Sequence, residues 1–262
     1  MVRNVGIIYE ENDYSVFNPL LGNRVVDEYR KMKIRESVAK VGWIKNPIVV
    51  NEKFQVIDGQ ARLEILQEMG LPVQYVIAYG TGVSECIAMN ISQSSWRIID
   101  YVTSYAALGN QNYVRMLKLI DDFSEFGVPE ITGIARNIIV RNGTQSHILK
   151  SGKLELSEEG YRLAHIFLDA ARNFLPIIDK IPGSSRTKRT AIAWALRNTG
   201  INSDRLYKRL ASQYPLISPV VESRPDIFLS DISNIYNKGL AAKNCIYLDA
   251  EYKRFERESA EA

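Results

Sequence analysis

Apolar positions recur along this chain with two different periods. Between residues 42 and 77 they come in short runs: 48–50 and 54–57 read as paired strands around the polar turn Asn51, Glu52, Lys53. Residues 60–69 read as a helix stopped by Gly70 and Pro72, and residues 33–41, with Ile34, Val38 and Val41 on one face, as a helix closed by Gly42. From Ile98 onward the period is helical. Ile98, Tyr101, Val102, Tyr105 and Leu108 share a face up to Gly109, and Asn110 caps a second helix whose Tyr113, Val114, Leu117 and Ile120 form a core face. Trp96, Tyr101 and Tyr105 sit at helical spacing, which favours core packing over stacking on bases. The pattern predicts an α+β chain, with a small mixed domain over residues 14–92 and an all-α domain over residues 93–262.

With 262 residues, 46% hydrophobic and 24% charged, the chain has enough material for one large or two small cores. No apolar run approaches the roughly 20 residues of a membrane span, and residues 1–13 carry no secretory h-region, so a cytoplasmic protein without membrane contact is expected. Cys86 and Cys245 lie among apolar residues and read as buried thiols. His147 and His165 are the only histidines and have no cysteine nearby, which leaves no metal site in view. No P-loop, G-x-S-x-G elbow or C-x-x-C occurs, and Tyr79-Gly-Thr-Gly-Val83 is a plain glycine turn.

Three segments carry candidate chemistry. At Asp58-Gly59-Gln60-Ala61-Arg62 a strand runs into a helix: Gly59 permits close backbone approach, the first helical N–H groups point outward, and Arg62 adds a permanent cation. A phosphate fits such a turn; a plain strand–turn–helix junction reads equally from the same residues. Residues 131–149 offer a helix-turn-helix, with Ala135 at the helix crossing, Asn142-Gly143 as the turn and residues 144–150 as recognition helix. Thr144, Gln145, Ser146 and His147 would then reach base edges, while Arg136, Arg141 and Lys150 hold phosphates. A plain helical hairpin is the alternative. Net charge is only +3, yet Arg186, Lys188, Arg189, Arg197, Arg205, Lys208 and Arg209 face a single acid, Asp204. Within that stretch, cations at the helix start after Pro182 oppose the helix dipole, which suggests either a bound anion or a solvated helix end. Residues 247–262 read as an exposed, mixed-charge helix that frays or serves self-association.

The order of these motifs resembles the ParB/sulfiredoxin-like superfamily across residues 18–108. Asn23-Arg24, Ser37-Val38, Gly42, the strand after Pro47 and the turn Asp58 to Arg62 follow the family's sequence of motifs, and Asn90 matches its later polar segment. The resemblance implies a nucleoside triphosphate, CTP or ATP, held by Arg24, Asp58, Gly59, Gln60, Arg62 and Asn90. Met89 replaces the family's acidic metal ligand, and a thioether is a poor ligand for a hard cation, which counts against Mg2+. Gln60 stands where a glutamate or, in the sulfiredoxin branch, a nucleophilic cysteine is found, so peroxiredoxin repair is excluded and no catalytic residue is assigned. The implied role is a nucleotide-responsive protein that binds duplex DNA through Arg136, Arg141, Thr144, Gln145, Ser146, Lys150, Arg186, Lys188 and Arg189, with homodimers possible in that family. It would serve segregation, maintenance or regulation of a chromosome, plasmid or other mobile element. Two alternatives stay open: a nuclease, nucleotide hydrolase or phosphotransferase drawing on Asp58, Glu64 and Glu36, and a ligand-free interaction module.

Overall fold

The computed structural model describes residues 6–23, 26–43, 45–92, 96–138, 144–222 and 224–261, of which 89–92, 144–145 and 259–261 are described by backbone alone. It is α+β and divides into two compact units, Met1–Asn110 and Gln111–Ala262. No helix among the described residues is long and apolar enough to cross a membrane.

The first unit is built on a mixed sheet of β1 (Tyr9–Glu11), β2 (Asn18–Pro19), β3 (Ile48–Val50), β4 (Gln55–Asp58) and β5 (Val73–Ile77), in the order β1-β5-β3-β4-β2. β3 lies centrally, parallel to β5 and antiparallel to β4. Alternation along the strands sorts side chains to two faces. Ile48, Val50, Val56, Val73 and Tyr75 join Phe17 and Leu66 in one cluster, whereas Ile57 and Val49 face a second cluster with Cys86, Ile87, Trp96 and Tyr101. Helix α1 (Glu28–Val41) packs on α2 (Gln60–Met69), while α3 (Val83–Ser92) and α4 (Ile98–Ala107) serve the second face. Trp96 and Tyr101 are 5% and 1% exposed, so the helix expected to open the helical domain completes the core of the first unit instead, and the chain passes from one unit to the other after Asn110.

Two local differences from the sequence expectation have clear causes. α1 begins at Glu28, ahead of its apolar face, because the Asp27 carboxylate accepts from the Tyr29 N–H at 2.9 Å and Lys31 bridges Glu28 and Glu64. Those two glutamates, Glu64 foremost, hold the Lys31 ammonium protonated well above its ordinary range. β4 starts one residue later than expected because Phe54 belongs to the turn, at φ 57°. The turn is fixed from inside by Asn51, 3% exposed, whose Oδ1 accepts from the N–H groups of Lys53 and Gln55.

The second unit is all helical. α5 (Gln111–Asp122), α6 (Val128–Arg136), α7 (Thr144–Lys150), α8 (Glu158–Arg172) and the short α9 (Leu175–Ile178) precede α10 (Ser185–Asn198), α11 (Ser203–Gln213), α12 (Pro225–Asn237) and α13 (Leu248–Glu261). Every residue of α10 from Ala191 to Leu196 is buried, since α6, α8, α9 and α12 all pack on it. α5 turns a different face inward than expected: Tyr113, Met116 and Leu119 are fully buried while Val114 is exposed, because the Tyr113 hydroxyl donates to the carbonyls of Ile148 and Leu149. The C-terminal segment packs against α12, with Leu248 and Tyr252 buried and the Tyr252 ring edge-on to Trp194 at 4.8 Å. This replaces the frayed surface helix expected there.

Asp226 fastens the start of α12. Arg224 donates to both carboxylate oxygens, at 3.0 and 3.2 Å, and Lys253 of α13 lies 3.6 Å away. The Arg224 hydrogen bond lowers the Asp226 pKa from its ordinary 3.8. A lowered folded-state pKa stabilises above the ordinary value, and that contribution is lost as pH falls through the folded one. Asp226→Asn is therefore expected to cost about 1 kcal/mol near neutral pH, the scale of a helix-start carboxylate with a partner. In urea unfolding the gap between variant and wild type should close as pH falls below about 4; a gap independent of pH would show that the charge is not its source.

Candidate functional site

The first unit encloses a cavity of about 400 Å³. Its first wall is one face of α1, presenting Asp27, Arg30, Ile34, Ser37 and Val38 at helical spacing, followed by Gly42, Trp43 and Asn46. The second wall is the end of β4 and the start of α2, from Ile57 through Asp58, Gly59, Gln60 and Ala61 to Arg62. Asn23, Val26 and Trp96 complete the lining, and the Asn23 amide donates to the carbonyls of Val56 and Ile57, which ties it across β4.

Gly59 is the pivot. It caps α2 in the left-handed region at φ +100°, and a β-carbon there would stand 2.6 Å from Ile48 Cγ2 and 2.8 Å from Arg62 Nη2. Having no side chain, it makes no capping bond, so the opening N–H groups of α2 are left for another acceptor. Arg62 folds back onto Asp58, Nη2 to Oδ2 at 2.8 Å, with its side chain 19% exposed. Two residues that line the cavity, Arg62 and Trp43, each carry a buried donor, Nε and the indole N–H, without a hydrogen-bond partner. Buried donors are normally paired, so these two fit an acceptor-rich ligand such as a phosphate. Beneath the turn the Cys86 thiol donates to the Ile57 carbonyl at 3.3 Å; burial, with the Asp58 charge adding to it, pushes its pKa up to about 11. It is a packed thiol, not a nucleophile.

Of the residues expected at this site, Asp58, Gly59, Gln60 and Arg62 come together, whereas Arg24 and the side chain of Asn90 lie outside the described residues. Of the three carboxylates considered for catalysis only Asp58 lines the cavity: Glu64 is bound to Lys31 at 2.6 Å and Glu36 to Lys33 at 3.1 Å. Sequence reading missed Asp27, Arg30, Trp43 and Asn46. Asp27 and Arg30 continue the face of Ile34 and Val38 by helical spacing, the one signal that pointed to them. Among the described residues no group of three or more His, Cys, Asp or Glu side chains is placed to hold a metal.

The basic stretch of the helical unit is arranged differently from the expected phosphate surface. Lys188 is 1% exposed, its ammonium donating to the Ile181 carbonyl, and burial lowers its pKa. Arg189 donates to the Glu125 carbonyl and pairs with Asp179, and Arg197 donates to the Ile134 carbonyl in the last turn of α6. Arg205 and Arg209 both reach the Lys238 carbonyl beyond α12. These cations satisfy backbone carbonyls at or just beyond helix ends, so most of this charge excess is internal scaffolding and the buried Lys188 is not placed as a DNA contact. The helix start at Ser185 is already capped, Ser184 Oγ accepting from the Thr187 N–H. Arg186 remains outward, its side chain 45% exposed and 3.9 Å from Glu130. In the expected helix-turn-helix, α6 and α7 are both helical and in contact, Ser146, Arg136 and Lys150 are half-buried, and His147 is exposed. Arg141, Asn142 and Gly143, and the side chains of Thr144 and Gln145, lie outside the described residues.

No family model and no curated protein sequence matches this chain. A solved structure described as the C2221 form of a Pnob8-like ParB-N domain aligns with 97% of this chain and 100% of its own at 14% identity, with a TM-score of 0.27.

The contrast between two glycines tests the turn. Gly59→Ala combines a positive φ with the Ile48 collision and is expected to cost about 2–4 kcal/mol. Gly70→Ala, at φ +65° with nothing within 4 Å of the added carbon, is expected to cost about 1 kcal/mol. Equal losses in urea unfolding would mean that contact with Ile48 does not govern the turn.

Proposed function

We propose that the first unit is a ParB-like nucleotide-binding module and that the protein as a whole is a nucleotide-responsive DNA-binding protein serving segregation, maintenance or regulation of a chromosome, plasmid or mobile element. One observation carries the first half. Asn23, Ser37, Gly42 and the run from Asp58 to Arg62 are dispersed along the sequence, yet all line one cavity. Packing alone does not require motif positions from a loop, a helix and a strand–helix turn to share a space. The phosphate would meet Arg62 and the opening N–H groups of α2, with Ile34, Val38 and Trp43 beside the organic part of the ligand.

Catalysis is not part of this reading, because Gln60 cannot take a proton as a general base. In isothermal titration calorimetry Arg62→Ala is expected to weaken nucleotide binding by about 1.5–3 kcal/mol, the scale of a charge-assisted hydrogen bond. Unchanged affinity would place the ligand elsewhere.

The DNA half rests on fewer groups than the sequence suggested. Lys188, Arg189, Arg197, Arg205 and Arg209 are turned to carbonyls; we assign phosphate contacts to the outward Arg186 and Lys208 and, from the helix-turn-helix reading, to Arg136 and Lys150. A log–log salt slope of about −3 to −4 is expected for duplex binding, and Arg186→Ala should reduce it by about one unit. No mobility shift on any duplex at low salt, with or without nucleotide, would end the DNA reading and leave the nucleotide reading standing.

A further inference from the structure

Among the described residues that line the cavity, the charges are balanced. Arg30 and Arg62 line it together with Asp27 and Asp58, and each aspartate already accepts one hydrogen bond, Asp27 from the Tyr29 N–H and Asp58 from Arg62. Each of those bonds uses one oxygen of its carboxylate. The cationic pole is compact, made of Arg62 and the uncapped start of α2, and the Asp58 carboxylate stands directly beside it.

We infer that the ligand of this site is a phosphate monoester of a hydroxyl-bearing group, of which a nucleoside monophosphate is the nucleotide form; the inference rests on the nucleotide reading above. One phosphate, carrying about −1.5 to −2 charges at neutral pH, takes up the arginine and the helix N-terminus, whose positive charge Asp58 already offsets in part. A second and third phosphate would extend from this pole along walls whose described charges are Arg30 and Asp27, which offset each other, so no net positive charge among the described residues is left to match them in a partly enclosed space. The same carboxylates suit the other end of a monoester: a carboxylate oxygen accepts from a ribose hydroxyl or a base amino group, which a phosphate oxygen cannot donate. Trp43 and Arg62 supply the remaining donors, through an indole N–H and a guanidinium Nε that are buried and unpaired.

Calorimetry on the full chain decides it, with AMP, CMP, ribose 5-phosphate, inorganic phosphate, ATP and CTP titrated in EDTA and the triphosphates repeated in magnesium. The monophosphates should bind at least roughly tenfold more tightly than the matching triphosphates, and magnesium should not reverse the order. Ribose 5-phosphate binding as well as AMP would assign recognition to the phosphate and sugar; weaker binding would assign part of it to the base. Asp58→Asn should narrow the preference by raising triphosphate affinity. So should Asp27→Asn, in which asparagine keeps the helix cap and the fold intact. Equal or tighter binding of triphosphate by the wild type, or an unchanged preference in both variants, overturns the inference while the nucleotide reading survives. If none of the phosphate compounds binds, both fall.

Discussion

The backbone at Gly59 has to turn β4 into α2 against the side of Ile48, a fully buried residue of the central strand. Nothing larger than hydrogen fits there, and the left-handed conformation that makes the turn is one that only glycine adopts freely. Three things follow from this one contact. α2 starts close enough to the sheet for Leu66 to join the cluster of Ile48 and Val56; its opening residues line the cavity without a side-chain cap; and Arg62, one turn on, can lie back on Asp58. The floor of the cavity is thus a by-product of how tightly the helix is drawn onto the sheet.

Much of this region was legible in the sequence, because local rules decide it. Gly70 and Pro72 stop α2 where expected, and the short runs at residues 48–50 and 54–57 announce the hairpin. Legibility fails where distant partners decide. Residues at the start of α1 have no apolar period, and their helix is fixed by Asp27 and by an ion pair to Glu64 on α2. The inward face of α5 is set by the reach of Tyr113 to α7, not by the hydropathy of Val114 or Leu117. Tyr101 was correctly read as core, but which core it fills is a matter of tertiary packing.

The basic stretch shows the same limit in electrostatics. A sequence displays the cations of residues 186–209 and their scarcity of acids, which resembles a phosphate surface. It does not display carbonyl oxygens, and the partners of Arg189 and Arg197 come from 64 and 63 residues earlier in the chain. Arg172, donating to the Asp122 carbonyl at the end of α5 and to Glu125, follows the same pattern. Local charge excess in a helical protein therefore needs to be weighed against the number of helix ends it has to close.

The complete burial of α10 bears on the order in which the chain can assemble. Ala191 to Leu196 present apolar surface in every direction, and α12, which covers part of it, follows α10 in the chain. During synthesis from the N-terminus, α6, α8 and α10 emerge while that part of the surface is still bare. A ribosome paused between α10 and α12 would leave one apolar side of α10 uncovered, so the helical unit closes only when its C-terminal third arrives.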